Sequence, residues 1–203
     1  MRALIVVDVQ NDFTTGGRLE VRNGEEIIPL VNHLQEAFDL VVATQDWHPP
    51  DHLSFASNHK GRQPFEQILL NGLEQVLWPD HCVQGSHGAA FHPGLAMNKV
   101  AAIFRKGMDK EVDSYSGFYD NGHLHSTGLT GYLRERNVDE VFVVGLAADY
   151  CVYYTAKDAL GDGFKSCLIE DATRPISAEG FAKAKQELFR LGGRVIDSKD
   201  LLP

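Results

Sequence analysis

The chain has 203 residues, 43% hydrophobic and 23% charged, a composition that supports one sizeable core and excludes an intrinsically disordered chain. Its net charge is −9 and its densest basic spots are only 105-RK-106 and 134-RER-136, so a phosphate backbone is repelled and nucleic acid is not expected as a partner. Three cysteines make no disulfide framework, and the apolar run before Asp8 is too short for a secretory leader or a membrane span; the expectation is one soluble, cytoplasmic domain over 1–203.

The predicted elements alternate along the chain. A strand at 3-ALIVV-7 is followed by a helical period over 25–38, with Pro29 near its start, and by a second strand at 40-LVVAT-44. Residues 46–98 are rich in His, Pro, Gly, Asn and Gln, with a short apolar helix expected at 66–76. The third strand, 100-VAAIF-104, precedes a Gly/Ser/Asp/Tyr-rich stretch at 107–126. A helix at 128–136, a strand at 141-VFVVG-145 and a helix at 150–160 come next. The chain closes with a strand at 166-SCLIE-170, a helix at 178–191 capped by Ser177 and stopped by Gly192, and a brief strand at 194-RVI-196. Strands apolar nearly throughout belong to a sheet covered on both faces. The alternation therefore predicts an α/β fold of three layers, α/β/α, with a mostly parallel sheet of about six strands. The two long loops carry too many aromatics for disorder and are expected to be functional.

Ligands of open α/β sheets bind beyond the carboxyl ends of the strands. Four strands here run into reactive groups there: Asp8, the pair Asp46 and His48, Lys106, and a turn reaching Cys151. Placed in the first turn of the 150–160 helix, Cys151 would meet free N–H groups that favour a thiolate and can hold an oxyanion. Cys167, inside a strand, and Cys82 read as structural thiols. A lysine at a strand end is by itself a solvated tail, but beside a thiolate it stabilises the anion. Asp8 follows five apolar residues and needs a partner if buried, which Lys106 supplies; Asp12 competes with it for the role of acid, and Asp8 is preferred as the nearer to the strand end. In 46-DWH-48, alternating residues face one side and can share an ion. His81 in 78-WPDHCV-83 is the expected third ligand, against His52, His59, His87 and His92, and Ser54 is a candidate to hold a metal-bound water.

Together 4-LIVVDVQNDF-13, 44-TQDWHP-49, 78-WPDHCVQGSHGA-89, 104-FRKGMD-109, 113-DSYSGF-118, 145-GLAADYCV-152 and 170-EDATRP-175 resemble the nicotinamidase branch of the isochorismatase-like cysteine hydrolases over nearly the whole chain. The resemblance implies a catalytic triad of Asp8, Lys106 and Cys151. It implies one divalent ion, zinc foremost with iron or manganese as alternatives, on Asp46, His48 and His81, with Ser54 holding a metal water. Ala147 would follow a non-proline cis peptide and form the oxyanion hole through its N–H and that of Cys151. Phe13, Trp78 and Tyr115 would surround a pyridine ring. The implied reaction is hydrolysis of nicotinamide, with pyrazinamide as an alternative substrate, through a cysteine thioester, serving NAD salvage. Two departures stand out: Thr15 where a proline is common, and Ala148 where a threonine is frequent. Other readings are a relative of the same superfamily acting on a different amide, a receiver or flavodoxin-like binding module, and a structural metalloprotein. A receiver has no use for the thiol, a flavin binder would need a phosphate-cradling loop that DVQNDF lacks, and a structural zinc site usually has four protein ligands. Whether the chain forms a homo-oligomer is left open.

Overall fold

The computed structural model describes residues 1–201. In chain order the elements are β1 (Arg2–Val7), α1 (Ile28–Leu34), β2 (Leu40–Asp46), β3 (Gln67–Leu70), β4 (Leu73–Val76), β5 (Val100–Lys106), α2 (Leu129–Glu135), β6 (Glu140–Leu146), α3 (Tyr153–Gly161), β7 (Lys165–Arg174), α4 (Ala178–Arg190) and β8 (Arg194–Ile196). Six of the strands form one sheet in the order β5-β2-β1-β6-β7-β8, and every pairing in it is parallel. Alternate residues of β1 face opposite sides, so Leu4 and Val6 pack with Ile28, Val31 and Leu34 of α1. Ala3, Ile5 and Val7 instead meet Leu129 and Leu133 of α2, Tyr153, Ala156 and Ala159 of α3, and Phe181, Ala184 and Leu188 of α4. The result is the three-layer α/β/α architecture, with the sheet buried between two apolar cores. Among the described residues no helix is long and apolar enough to cross a membrane.

The helix ends obey local chemistry. Pro29 sits in the first turn of α1, where its missing N–H costs nothing. The Ser177 side chain accepts from the Gly180 N–H at the start of α4, and Gly192, at φ +91°, lies just beyond its end.

Residues 66–76 correct the sequence reading. They form the antiparallel hairpin β3–β4 rather than a helix. Its turn is 71-NG-72, with φ +50° and +87°, the pair of left-handed residues that a two-residue hairpin needs. The apolar run around it is short enough to be strand or helix by period, and the Asn-Gly dipeptide decides for the strand.

From β1 the chain grows outward to β2 and β5 on one side, and β6, β7 and β8 fill the other. The crevice beyond the carboxyl ends of β1 and β6 is therefore the topological switch point, where ligands of such sheets bind. Gly145 makes that junction tight. A Cβ there would penetrate the Val7 carbonyl, and φ is +115°. Gly145→Ala combines overpacking with a backbone conformation closed to alanine, and is expected to cost about 3 kcal/mol or more, read as a lowered urea midpoint. An unchanged midpoint would show that β1 and β6 can part without cost.

Candidate active site

Four neighbouring strand ends supply the polar residues. The chain leaves β1 at Asp8, where φ is +47° and the Asp8 carbonyl accepts the Gln10 N–H at 2.8 Å, turning the carboxylate inward. Across the sheet, Asp46 and Lys106 are register partners at the ends of β2 and β5. Lys106 is fully enclosed: Nζ lies 2.9 Å from Asp8 Oδ2, 3.1 Å from Asp46 Oδ1, 2.8 Å from the Ser114 carbonyl and 3.5 Å from Cys151 Sγ. The Thr44 hydroxyl donates to the other Asp8 oxygen at 2.6 Å. The sulfur, amine and carboxylate singled out from the sequence thus form one buried cluster.

Burial disfavours charge on Lys106, yet Asp46, Asp8 and Cys151 outweigh it and hold the ammonium form well above its ordinary range. For Asp8 burial wins: it lifts the carboxyl, Lys106 opposes and Asp46 adds to the rise. Such a carboxyl is poised to accept a proton. The Cys151 thiol is also pushed up, by burial first, with Lys106 pulling down and Asp8 pushing up. Here the structure departs from the sequence reading. Cys151 sits not in the first turn of α3 but in a π-type turn, Ala148–Val152, ahead of it. The local field on the sulfur is thus set by Lys106 and Asp8, and its proton has a receiving group beside it.

That turn begins after the cis peptide Leu146–Ala147. The Ala147 carbonyl accepts the N–H groups of Tyr150 at 3.2 Å and Val152 at 3.1 Å, which folds Ala147 back onto the Cys151 backbone. Ala148 is wholly buried in the apolar layer behind the turn, so its departure from threonine changes packing there and not the cleft. Asp149 accepts the N–H groups of Ile176 at 2.9 Å and Ser177 at 2.8 Å, tying the loop after β7 to the nucleophile turn.

Asp46, His48 and His81 are buried and converge, with Asp46 Oδ2 3.1 Å from His48 Nε2 and 3.4 Å from His81 Nε2. Both rings have their tautomers fixed from behind. His48 Nδ1 donates to the Gly107 carbonyl at 2.9 Å, and His81 Nδ1 donates to the Pro79 carbonyl at 2.8 Å. Two Nε2 lone pairs and a carboxylate oxygen therefore face one another. Such a set suits a divalent cation and leaves coordination positions open. Burial works against charge on Asp46, but His48 and Lys106 overcome it and keep the carboxyl ionised well below the usual range. Gly107 is required behind His48, because a Cβ there would run into the imidazole.

A small, narrow cleft joins the two groups, lined by Asp46 and His81 from one and Cys151 from the other. Its walls include the three predicted aromatics, Phe13, Trp78 and Tyr115. Phe13 meets His81 edge-on at 5.6 Å and Trp78 meets Tyr115 at 6.2 Å. Aromatic walls with a few convergent polar groups suit a single flat ring.

Some contributors escaped the sequence reading. Leu19, Asp113, Tyr150 and Ile176 also line the cleft. Gln10 clamps the end of β2, donating to the Asp46 and Ala89 carbonyls at 2.8 Å each and accepting the Asp46 N–H at 2.8 Å. Its place two residues after Asp8 was the available signal. Asp12, the rival acid, instead accepts the N–H groups of Cys82 at 2.7 Å and Arg18 at 3.2 Å, a loop-organising role. Of the competing histidines, His81 joins Asp46 and His48, while His52 lies beside them with its ring nitrogen 2.7 Å from Ser54 Oγ.

Known proteins share this arrangement of sequence and fold. The nicotinamidase of Acinetobacter baylyi is 50% identical over 98% of this chain and 94% of its own length. The structure of an Acinetobacter baumanii nicotinamidase pyrazinamidase superposes with a TM-score of 0.97 at 51% identity, covering 99% of this chain and 98% of that one. A Pyrococcus horikoshii pyrazinamidase solved in complex with zinc gives a TM-score of 0.80 at 36% identity over 97% and 98% of the two chains. The isochorismatase domain model matches residues 2–200, and with likeness of that extent and depth the chain belongs to the isochorismatase family.

Proposed function

We propose that the protein is a nicotinamidase, hydrolysing nicotinamide to nicotinate and ammonia in NAD salvage. The observation that carries the proposal is a single small aromatic cleft with a buried Cys151–Lys106–Asp8 cluster at one end and the Asp46–His48–His81 donors at the other. A flat ring carrying a basic nitrogen at one edge and a carboxamide at another matches both ends at once.

In this reading Asp8 takes the Cys151 thiol proton while Lys106 stabilises the sulfur anion. The sulfur attacks the carboxamide carbon, and the oxyanion rests on the N–H groups of Ala147 and Cys151. Asp8 returns its proton to the nitrogen as the C–N bond breaks, releasing ammonia and leaving a thioester. Asp8 then accepts a proton from water as the water attacks, the C–S bond breaks, and the thiol is restored with nicotinate. Phe13, Trp78 and Tyr115 exclude bulk water and hold the ring flat. A divalent ion on Asp46, His48 and His81 would supply a Lewis-acidic anchor for the ring nitrogen, fixing the carboxamide over the sulfur. Zinc is the ion we place there, with iron and manganese served by the same donors. Pyrazinamide, which keeps a ring nitrogen and the carboxamide, fits the same cleft. The three free, buried cysteines suit a reducing compartment, in keeping with a cytoplasmic enzyme.

The test is ammonia release from nicotinamide, with metal content measured on the same sample. Turnover is expected to follow bound ion, and benzamide, which lacks the ring nitrogen, is expected to be a poor substrate. Metal-loaded protein inert toward nicotinamide would overturn the assignment. Replacing His48 by alanine removes one of three donors and is expected to lower ion affinity by about 10- to 100-fold, weakening nicotinamide binding with it. Unchanged metal content in that variant would remove His48 from the ligand set.

A further inference from the structure

The cleft has one wall that belongs to both the ligand space and the surface. Among the described residues that line it, most are buried, Tyr115 and Tyr150 are partly so, and Ile176 stands exposed at 37%. An exposed isoleucine is ordinary by itself. One that lines a cleft with part of its side chain and meets water with the rest marks the mouth.

That mouth is fixed in place. Ile176 lies in the turn between β7 and α4, and its N–H donates to Asp149 Oδ1 at 2.9 Å while the Ser177 N–H donates to Oδ2 at 2.8 Å. Asp149 stands two residues before Cys151 in the same π-type turn, so one buried carboxylate sets the mouth relative to the nucleophile. On the other side of the turn, Arg174 Nη2 lies 3.4 Å from Glu26 Oε2 and Nη1 donates to the Thr173 carbonyl at 2.8 Å. Tyr150, the neighbouring wall, meets Trp78 edge-on at 4.9 Å and Tyr115 at 5.4 Å. A wall tied at so many points measures a ligand instead of yielding to it.

The anchors decide which part of a ligand is measured. In the proposed reaction the ring nitrogen sits at the Asp46–His48–His81 end and the carboxamide carbon at Cys151 Sγ. The nitrogen and the carbon bearing the carboxamide are meta to each other, and one further ring carbon is meta to both. Both anchors are buried, so that carbon is left facing the way out. We infer that Ile176 is a specificity-determining residue: its side chain closes over the ring carbon meta to both anchors and sets how large a substituent is accepted there. The inference rests on the nicotinamidase reading and adds a substrate class to it. Nicotinamides with a methyl group at that carbon are accepted, and those with a phenyl group are refused.

The test compares ammonia release from nicotinamide, 5-methylnicotinamide and 5-phenylnicotinamide by wild type, Ile176→Ala and Ile176→Phe at equal metal content. Ile176→Ala removes contact with every ligand and is expected to lose about three- to tenfold in kcat/KM for nicotinamide, through KM. The same variant is expected to gain about tenfold or more for 5-phenylnicotinamide, a change of opposite sign that loosening of the fold would not produce. Ile176→Phe narrows the mouth and is expected to lower the ratio of 5-methylnicotinamide to nicotinamide by about tenfold. Ratios unchanged in both variants, losses that fall equally on all three amides, or a wild type that hydrolyses 5-phenylnicotinamide as readily as nicotinamide overturn the inference while the nicotinamidase reading stands. Metal-loaded wild type inert toward nicotinamide overturns the reading and the inference together.

Discussion

Cys151→Ala is expected to reduce ammonia release from nicotinamide by about 10⁴-fold or more, while fold and bound ion stay as they were. Sγ is the atom 3.5 Å from Lys106 Nζ and is the nucleophile available in the cleft opposite the metal donors. Removing it leaves Asp8 and Lys106 paired at 2.9 Å, so no charge is stranded. The cavity created is a single sulfur in size, small against the core on either side of the sheet. What vanishes is the covalent route: the remaining carboxylate could at best assist a direct attack by water, for which no thioester is formed. The measurements are turnover, thermal midpoint and metal content on one preparation. Turnover within tenfold of wild type, with midpoint and metal retained, would end the thioester mechanism and leave Asp8 with an activated water as the remaining chemistry.

The sheet was legible because its strands are covered on both faces. All six predicted strands are present, since runs such as ALIVV and VFVVG are too apolar to lie anywhere but between two layers. Less was visible where polar residues continue a strand. β7 extends through Arg174, past the 166–170 expected, after a register shift that pairs Gly145 with Thr173. Its later part, 170-EDATR-174, carries the charges of a loop. The hairpin at 67–76 hid for the opposite reason: four-residue strands flanking a turn carry too little period to be told from a helix. In the site, residues that end strands were legible, because a carboxylate or an amine after an apolar run has to be explained. Residues that act through another group were not. Gln10 shows only by its place just after Asp8, Asp113 carries no sequence signal for what it holds, and His52 was one of several histidines in a loop. Their meaning exists only once the chain has brought Asp46, His48 and Asp8 together.

Lys106→Met is the second large effect, and its first consequence is on stability. The ammonium faces two carboxylates, Asp8 at 2.9 Å and Asp46 at 3.1 Å, with no solvent exposure of its side chain. Methionine fills the same volume and leaves both anions without their shared partner. Breaking a buried pair from one side costs about 3–5 kcal/mol, a large part of the 5–15 kcal/mol that hold an ordinary domain together. Asp46 keeps its contacts with His48 and His81, so the penalty falls mainly on Asp8, which burial already drives toward its neutral form. Adding Asp8→Asn to Lys106→Met is therefore expected to recover a substantial share of the lost stability in ion-free protein, measured by urea unfolding. Activity is not expected to return, because the double variant has neither a proton acceptor nor a counter-charge for the Cys151 sulfur. Equal stability of the single and double variants would show that Asp8 and Lys106 are not coupled in the folded protein. Recovery of activity along with stability would mean the two serve the fold alone.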